Sequence, residues 1–400
     1  MIIVNPYINK KLGYYICDEK EFDSKIRACL HSVESHKPVK WIFNNDVFKT
    51  FDWTIEPEET LDQLYDKRAR QLREDYDYLI LSYSGGSDSN NILEAFRRQK
   101  LIIDEVIVNT MTKASSKAMI VDVSNKDAYN APQAEHDLHT VQRLQYIKKK
   151  MPKTKITVVD LSDFLFESLE KAGDASWVLD KREGLNPAGM TRFNYLHFSD
   201  VRKQFDKDKR IGIMVGIEKP RTMIFQGRFQ MMFADRSTNM ITVAEHLKDY
   251  PNSTIEFFYW APECVPMLIK QGHVIKRWLE AFPENQKFWV REQAMRSKIF
   301  REIHDPMLRQ VLYTTWDERW FQSKKAVGDW YSEFDQWFTD LYRDTKAYNV
   351  WAAGINYIEE NLTPFLRKSP NGTVDGLSPA RHMYDLGPMK SLHQDLVWLS

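Results

Sequence analysis

Tyr78-Leu79-Ile80-Leu81-Ser82-Tyr83-Ser84-Gly85-Gly86-Ser87-Asp88-Ser89 reads as a buried strand, a tight glycine turn and the start of a helix. Leu79, Ile80 and Leu81 form a short apolar run, as a parallel strand covered on both faces requires. Gly85 and Gly86 permit a sharp turn and a close approach of the backbone to a ligand. Ser87, Asp88 and Ser89 suit the opening of a helix, and Ile92, Leu93 and Phe96 follow at helical spacing. A strand that runs through a glycine turn into a helix N-terminus presents outward backbone N–H groups and the positive end of a dipole. Both favour an anion such as a phosphate.

Just before this stretch, residues 58–76 read as an amphipathic helix, with Leu61, Leu64, Tyr65 and Leu72 near one face. Residues 1–56 read as a small β-rich or mixed cap, with strand-like pieces at 2–4, 14–16 and 40–43. Downstream, Val106, Ile107 and Val108 mark a second buried strand within 101–110. Residues 130–151 read as a helix, with Leu138, Val141, Leu144 and Ile147 at three-residue steps. A third strand covers 155–161, with Asp160 and Asp163 at its end. Helical segments at 162–169 and 193–205 lead to a fourth strand at 211–216. Strands alternating with helices imply an α/β fold with right-handed βαβ units and a mainly parallel sheet. Ligands bind such sheets beyond the carboxyl ends of the strands. The loop at Ser84, the segment after Val108, Asp160 and the segment after Gly216 then share one rim.

Three parts are expected: the cap at 1–56, the α/β domain at 57–240, and a mainly helical, aromatic-rich region at 241–400. The last contains a helix at 266–282 and half of the twelve tryptophans, from Trp316 to Trp398. Residues 372–387 are rich in turn formers and read as a segment folded over the site or as a surface loop. The chain has no internal repeat.

Composition narrows the class. A chain of 400 residues is long for a single core. Lys plus Arg and Asp plus Glu are both 56, so a dominant nucleic-acid-binding surface is not favoured, although a local basic patch is compatible with that balance. Cys17, Cys29 and Cys264 are far apart, which argues against a disulfide framework and a four-cysteine zinc site and for a reducing cytoplasm. The first residues do not read as a signal peptide. No apolar run approaches the roughly 20 residues of a membrane span.

Ser84-Gly85-Gly86-Ser87-Asp88-Ser89 resembles the S-G-G-x-D-S signature of the PP-loop, or N-type ATP pyrophosphatase, superfamily. It is not a Walker A loop, since no G-x-x-x-x-G-K-[ST] occurs. The resemblance spans residues 75–225. Within the superfamily the chain is most similar to the synthetase domain of asparagine-synthetase-like proteins, including stand-alone versions encoded by phages. Gly216-Ile217-Glu218-Lys219-Pro220-Arg221, Tyr259-Trp260-Ala261-Pro262 and Lys270-Gln271-Gly272-His273 look like segments of those proteins.

The resemblance implies Mg-ATP as the nucleotide. The amides of Gly85, Gly86 and Ser87 and the hydroxyls of Ser84 and Ser89 would hold the β- and γ-phosphates. Asp88 would bind or orient Mg2+. Val108 and Asn109 would meet the adenine through backbone groups. An acceptor oxygen would attack the α-phosphorus, pyrophosphate would leave, and a nitrogen nucleophile would then displace AMP. Charge builds on the phosphates in that step, so Mg2+ and a cation must be waiting. Lys219 and Arg221 are the catalytic candidates alongside Asp88, and Glu218 is a further carboxylate. The implied partners are a small-molecule acceptor and either free ammonia or a separate glutaminase. Complete glutamine-dependent asparagine synthetases begin with a nucleophilic cysteine after Met removal, whereas this chain begins Met1-Ile2 and Cys17 is not placed for that role. The implied location is the cytoplasm, that of the host for a phage-encoded protein.

Alternatives stay open. The same adenylation could modify a tRNA or DNA base, or the chain could bind nucleotide without turnover as a regulatory partner. Lys219 and Arg221 also fit a solvated loop, and Asp160 and Asp163 fit an N-cap. His273 and Lys270 fit either a phosphate contact or ordinary helix positions. His136 and His139 share a helix face without an evident third ligand. Lys148 to Lys150 suit a solvated helix end. The tryptophans fit a core or a stacking platform.

Overall fold

The computed structural model describes residues 9–115, 136–180, 184–190, 208–217, 219–239, 252–282, 286, 289, 307–317, 330, 336–368, 372 and 374–390. The expected elements at 2–4 and 193–205, and the candidate Glu218, lie outside the described residues.

The chain opens on a small antiparallel sheet in the order β2-β1-β3, made of β1 (Tyr14–Cys17), β2 (Lys20–Phe22) and β3 (Lys40–Ile42). Helix α1 (Lys25–Ser35) and the short α2 (Asn45–Phe48) complete the cap. Helix α3 (Leu61–Asp75) begins at a capping box: Thr60 N–H donates to Gln63 Oε1 at 2.8 Å, and Gln63 N–H donates to Thr60 Oγ1 at 3.3 Å. Leu61, Leu64, Tyr65 and Leu72 are buried, as their spacing requires.

The centre is a five-stranded, all-parallel sheet in the order β10-β7-β4-β5-β6. Its strands are β4 (Tyr78–Ser82), β5 (Glu105–Thr110), β6 (Lys155–Asp160), β7 (Ile211–Val215) and β10 (Ser253–Phe257). Leu79, Ile80, Leu81, Val106, Ile107, Ile213 and Met214 are fully buried. The connecting helices are α4 (Ser87–Arg98), α5 (Thr112–Ser115), α6 (Val141–Lys150), α7 (Ser162–Ala172) and α8 (Pro187–Met190). A π-helical turn, His136–Thr140, precedes α6. From β4 the chain lays down β5 and β6 on one side, then returns to place β7 and β10 on the other. The switch point therefore lies between β4 and β7, where the crevice of such a sheet opens.

Beyond residue 220 the structure departs from the expected pattern. β8 (Arg221–Phe225) and β9 (Arg228–Ala234) form a hairpin through Gln226 and Gly227, both at positive φ (48° and 74°). The short helix α9 (Asp235–Asn239) follows. β10 extends the central sheet from beyond residue 240. Helix α10 (Val265–Ala281) matches the helix expected at 266–282, and α11 (Gln336–Tyr342) and α12 (Lys346–Asn361) lie further on. The turn-rich segment 372–387 is not a surface loop. Val374–Leu377 is a strand, β12, paired with β11 (Leu366–Lys368), and Arg381–Pro388 is a strand, β13, antiparallel to β9. Paired backbone satisfies the N–H and C=O groups that a bare loop would leave to solvent.

Among the described residues two apolar cores result. The larger joins the parallel sheet to the cap, to α10 and to Phe229, Met231 and Phe233 of β9. The second gathers Ile26 and Cys29 of α1, Leu165 and Leu169 of α7, and Trp351, Ile355 and Ile358 of α12. Asp235 ties cap, α9 and β13 together. It pairs with Lys25 Nζ at 2.9 Å and accepts from Tyr15 Oη at 2.9 Å and from Ala380 N–H at 3.0 Å.

Candidate functional site

The loop after β4 is braced largely by its own side chains. Tyr83 N–H donates to Ile107 O at 2.8 Å, carrying the ladder one residue past the strand. Gly85 then turns at φ +78°. A Cβ there would lie 2.7 Å from Thr140 Oγ1 and 3.0 Å from Thr140 Cα, so both its conformation and its surroundings demand glycine. Thr140 Oγ1 donates to Ser84 O at 2.8 Å. Gly86 N–H donates to Ser84 Oγ at 3.2 Å, and Ser89 Oγ donates to Gly86 O at 3.2 Å. Both serines expected to meet phosphate thus also shape the loop. Gly86 is the N-cap of α4 and gives no side-chain cap. Helix geometry leaves the N–H groups of Ser87, Asp88 and Ser89 without intrahelical acceptors.

Asp88 in that first turn is the most engaged side chain of the site. Lys219 Nζ lies 3.1 Å from its Oδ2. Tyr313 Oη donates to its Oδ1, and Tyr259 Oη donates to its backbone carbonyl at 2.9 Å. Asn91 Nδ2 donates in turn to Tyr259 Oη at 3.0 Å. Both phenols are fully buried and held well above the usual tyrosine range, first by burial and then by the Asp88 carboxylate nearby. They remain donors at neutral pH. Lys219 arrives because β7 ends beside α4. A Cβ on Gly216 would lie 3.2 Å from Ser89 N and 3.3 Å from Asp88 Cβ. The two segments meet at the switch point of the sheet.

The other sequence candidates fall into place unevenly. Val108 is buried on β5 and Asn109 is half-buried next to it, opposite Val158 and Val159 of β6. Arg221 opens β8 opposite Met232, in a separate sheet. Among the described contacts it is Lys219 that reaches Asp88. Asp160 accepts from Ser162 N–H at 2.9 Å and Lys113 N–H at 3.0 Å, binding the starts of two helices. Asp163 pairs with Lys113 at 2.5 Å. Lys270 pairs with Glu56 at 2.8 Å and donates to Pro57 O at 2.8 Å. His273 is buried, with Nε2 3.0 Å from Trp53 O. Burial lowers its pKa. Lys270 and His273 thus hold α10 to the end of the cap. Trp53, Trp177, Trp260, Trp289, Trp330, Trp337 and Trp351 are buried and belong to the cores.

Sequence reasoning missed Tyr313 and Thr140, and met Tyr259 only inside a quoted segment. Tyr313 is 225 residues from Asp88 in the chain, so no local pattern marks the contact. Among the described residues no group of three or more His, Cys, Asp or Glu could hold a metal. Asp88, with its side chain 22% exposed, offers one carboxylate beside the outward amides of α4. That donor set fits a Mg2+ carried mainly by phosphate oxygens, which takes one or two carboxylates from a protein.

Comparison with protein-family models matched none, and no curated protein or solved structure matched the chain. What the structure itself defines is an α/β protein with a five-stranded, all-parallel sheet and a glycine loop at its switch point. No helix among the described residues is long and apolar enough to cross a membrane.

Proposed function

We propose that the chain is a PP-loop ATP pyrophosphatase of the asparagine-synthetase-like kind. It binds Mg-ATP over the Ser84–Ser89 loop, transfers AMP to an acceptor carboxyl or carbonyl oxygen, and passes the activated acceptor to ammonia or an amine. The observation that carries this is the contact between Asp88 and Lys219 at the switch point. Two residues 131 positions apart, each singled out from the sequence, come together beside a helix N-terminus that has no side-chain cap.

The division of labour follows from charge. The first-turn amides and the loop fit an anion. Asp88 would hold Mg2+, which supplies positive charge to the departing pyrophosphate. Lys219 is a long, flexible cation within reach of the same space, and its charge suits the α-phosphate as negative charge builds there. Gly85 and Gly216 let backbone and side chains crowd around the loop. The acceptor would enter from the rim beyond β5 and β7, where β4's neighbours end.

Isotope transfer tests the chemistry. A panel of amino-acid and other carboxylates labelled with heavy oxygen is incubated with Mg-ATP and ammonium. Adenylation moves one labelled oxygen from the acceptor into AMP. Label in inorganic phosphate would instead show attack at the γ-phosphorus and contradict the proposal.

A further inference from the structure

The segment 307–317, which belongs to neither the loop nor the parallel sheet, touches the carboxylate of Asp88 through Tyr313. The Tyr313 ring is 1% exposed and packs near Tyr65 and Tyr259, at ring-centroid distances of 6.3 and 6.0 Å. Tyr65 Oη donates to Leu312 O at 3.1 Å, and Gln271 Nε2 donates to Tyr65 Oη at 3.1 Å. The backbone next to Tyr313 is therefore held from α3, through a Tyr65 hydroxyl that is itself held from α10. Asp88 is gripped at two different places. Tyr259 holds its backbone carbonyl and so steadies the first turn of α4. Tyr313 holds Oδ1, while Lys219 Nζ lies 3.1 Å from Oδ2 and, more loosely, 3.5 Å from Oδ1.

We infer that Tyr313 is a positioning residue for the Asp88 carboxylate: its hydroxyl fixes Oδ1 so that Oδ2 is presented to Lys219 and to the Mg2+ of a bound nucleotide. Tyr259 donates to the Asp88 backbone carbonyl rather than to its carboxylate, and its hydroxyl lies beside that of Tyr313. The inference rests on the nucleotide proposal and adds to it a residue that the loop motif does not contain. A carboxylate on a single-bond axis samples several rotamers, and a buried O–H donor selects one at no cost in charge.

Three proteins separate the roles: wild type, Tyr313→Phe and Tyr259→Phe. ATP affinity is measured in EDTA and in excess Mg2+ by calorimetry, and folding is checked by thermal denaturation. Tyr313→Phe keeps its ring in the core, so its melting temperature stays near that of wild type, and ATP affinity in EDTA is unchanged. Its gain in affinity on adding Mg2+ shrinks about tenfold, the scale of a hydrogen bond to a charged group. Tyr259→Phe leaves Asn91 without its acceptor, lowers the melting temperature, and keeps the Mg2+ gain. An equal Mg2+ gain in wild type and Tyr313→Phe overturns the inference and leaves ATP binding standing. Wild type that binds no ATP under either condition contradicts the nucleotide proposal and removes this inference with it.

Discussion

Lys219 Nζ stands 3.1 Å from Asp88 Oδ2, with both side chains partly sheltered from solvent, at 16% and 22% exposure. The contact joins the end of β7 to the first turn of α4 and so spans the switch point of the parallel sheet. Lys219→Met removes the cation and leaves Asp88 with the Tyr313 hydroxyl. For a half-sheltered ion pair we expect a stability loss of about 1–2 kcal/mol in urea denaturation. ATP affinity should fall more than stability does, by about tenfold or more, because the cation is lost from the phosphates as well. Unchanged ATP affinity would remove Lys219 from the site.

Gly85 and Gly216 should fail in different ways. Gly85→Ala places a side chain at positive φ and within 2.7 Å of Thr140 Oγ1. A loss of about 1–3 kcal/mol is expected, together with weaker nucleotide binding. Gly216→Ala meets no positive φ, but its Cβ would press on the Ser89 amide at 3.2 Å. It should lower ATP affinity with a smaller change in the urea midpoint. Equal effects at the two positions would contradict the picture of Gly216 as a spacer between β7 and α4.

Lys25 and Asp235 form an ion pair with side chains 5% and 0% exposed, and Tyr15 and Ala380 also donate to the carboxylate. Removing one partner strands the other charge in the core. Asp235→Asn and Lys25→Met should each cost about 3–5 kcal/mol, and the double variant should cost less than the sum. A double-mutant cycle in urea measures the coupling. Additive losses would show that the pair contributes no specific energy.

His273 and His382 set a pH dependence of stability. Each is held below the ordinary histidine value of 6.5, mainly by burial, with Lys276 and Arg277 adding to this at His273 and Lys49 at His382. Between the depressed folded values and 6.5, the unfolded chain binds more protons than the folded one. Stability therefore rises with pH across that window, is complete above 6.5, and is lost as pH falls through the folded values. The urea midpoint should drop as pH falls below 6.5, and His273→Gln with His382→Gln should flatten that slope. An unchanged slope would assign the pH dependence to other groups.

Much of the sheet was legible because its strands carry their own signal. The runs at 79–81, 106–108 and 211–215 are apolar on both faces, and only a strand covered on both sides needs that. The glycine loop was legible because positive φ and close approach leave few residue choices. The strands after residue 220 were harder. Gln226-Gly227 between two alternating apolar runs is a two-residue hairpin signal, and it could have been found. β13 had no such mark, since its partner β9 is distant in the chain and its Gly387 reads as a turn. Asp88 and Lys219 were each visible, but nothing local says that they touch. Tyr313 was invisible for the same reason: a buried tyrosine in an aromatic-rich segment looks like core until its hydroxyl is traced to a carboxylate.

Cleavage of ATP between its α- and β-phosphates is what sets the proposed chemistry apart from γ-phosphoryl transfer. The most direct measurement incubates the protein with Mg2+, ammonium, candidate acceptors and ATP labelled at the α-phosphate, and then separates the nucleotides. Labelled AMP with stoichiometric pyrophosphate is the predicted result, and it should vanish in Asp88→Asn. Labelled ADP with inorganic phosphate would contradict the claim.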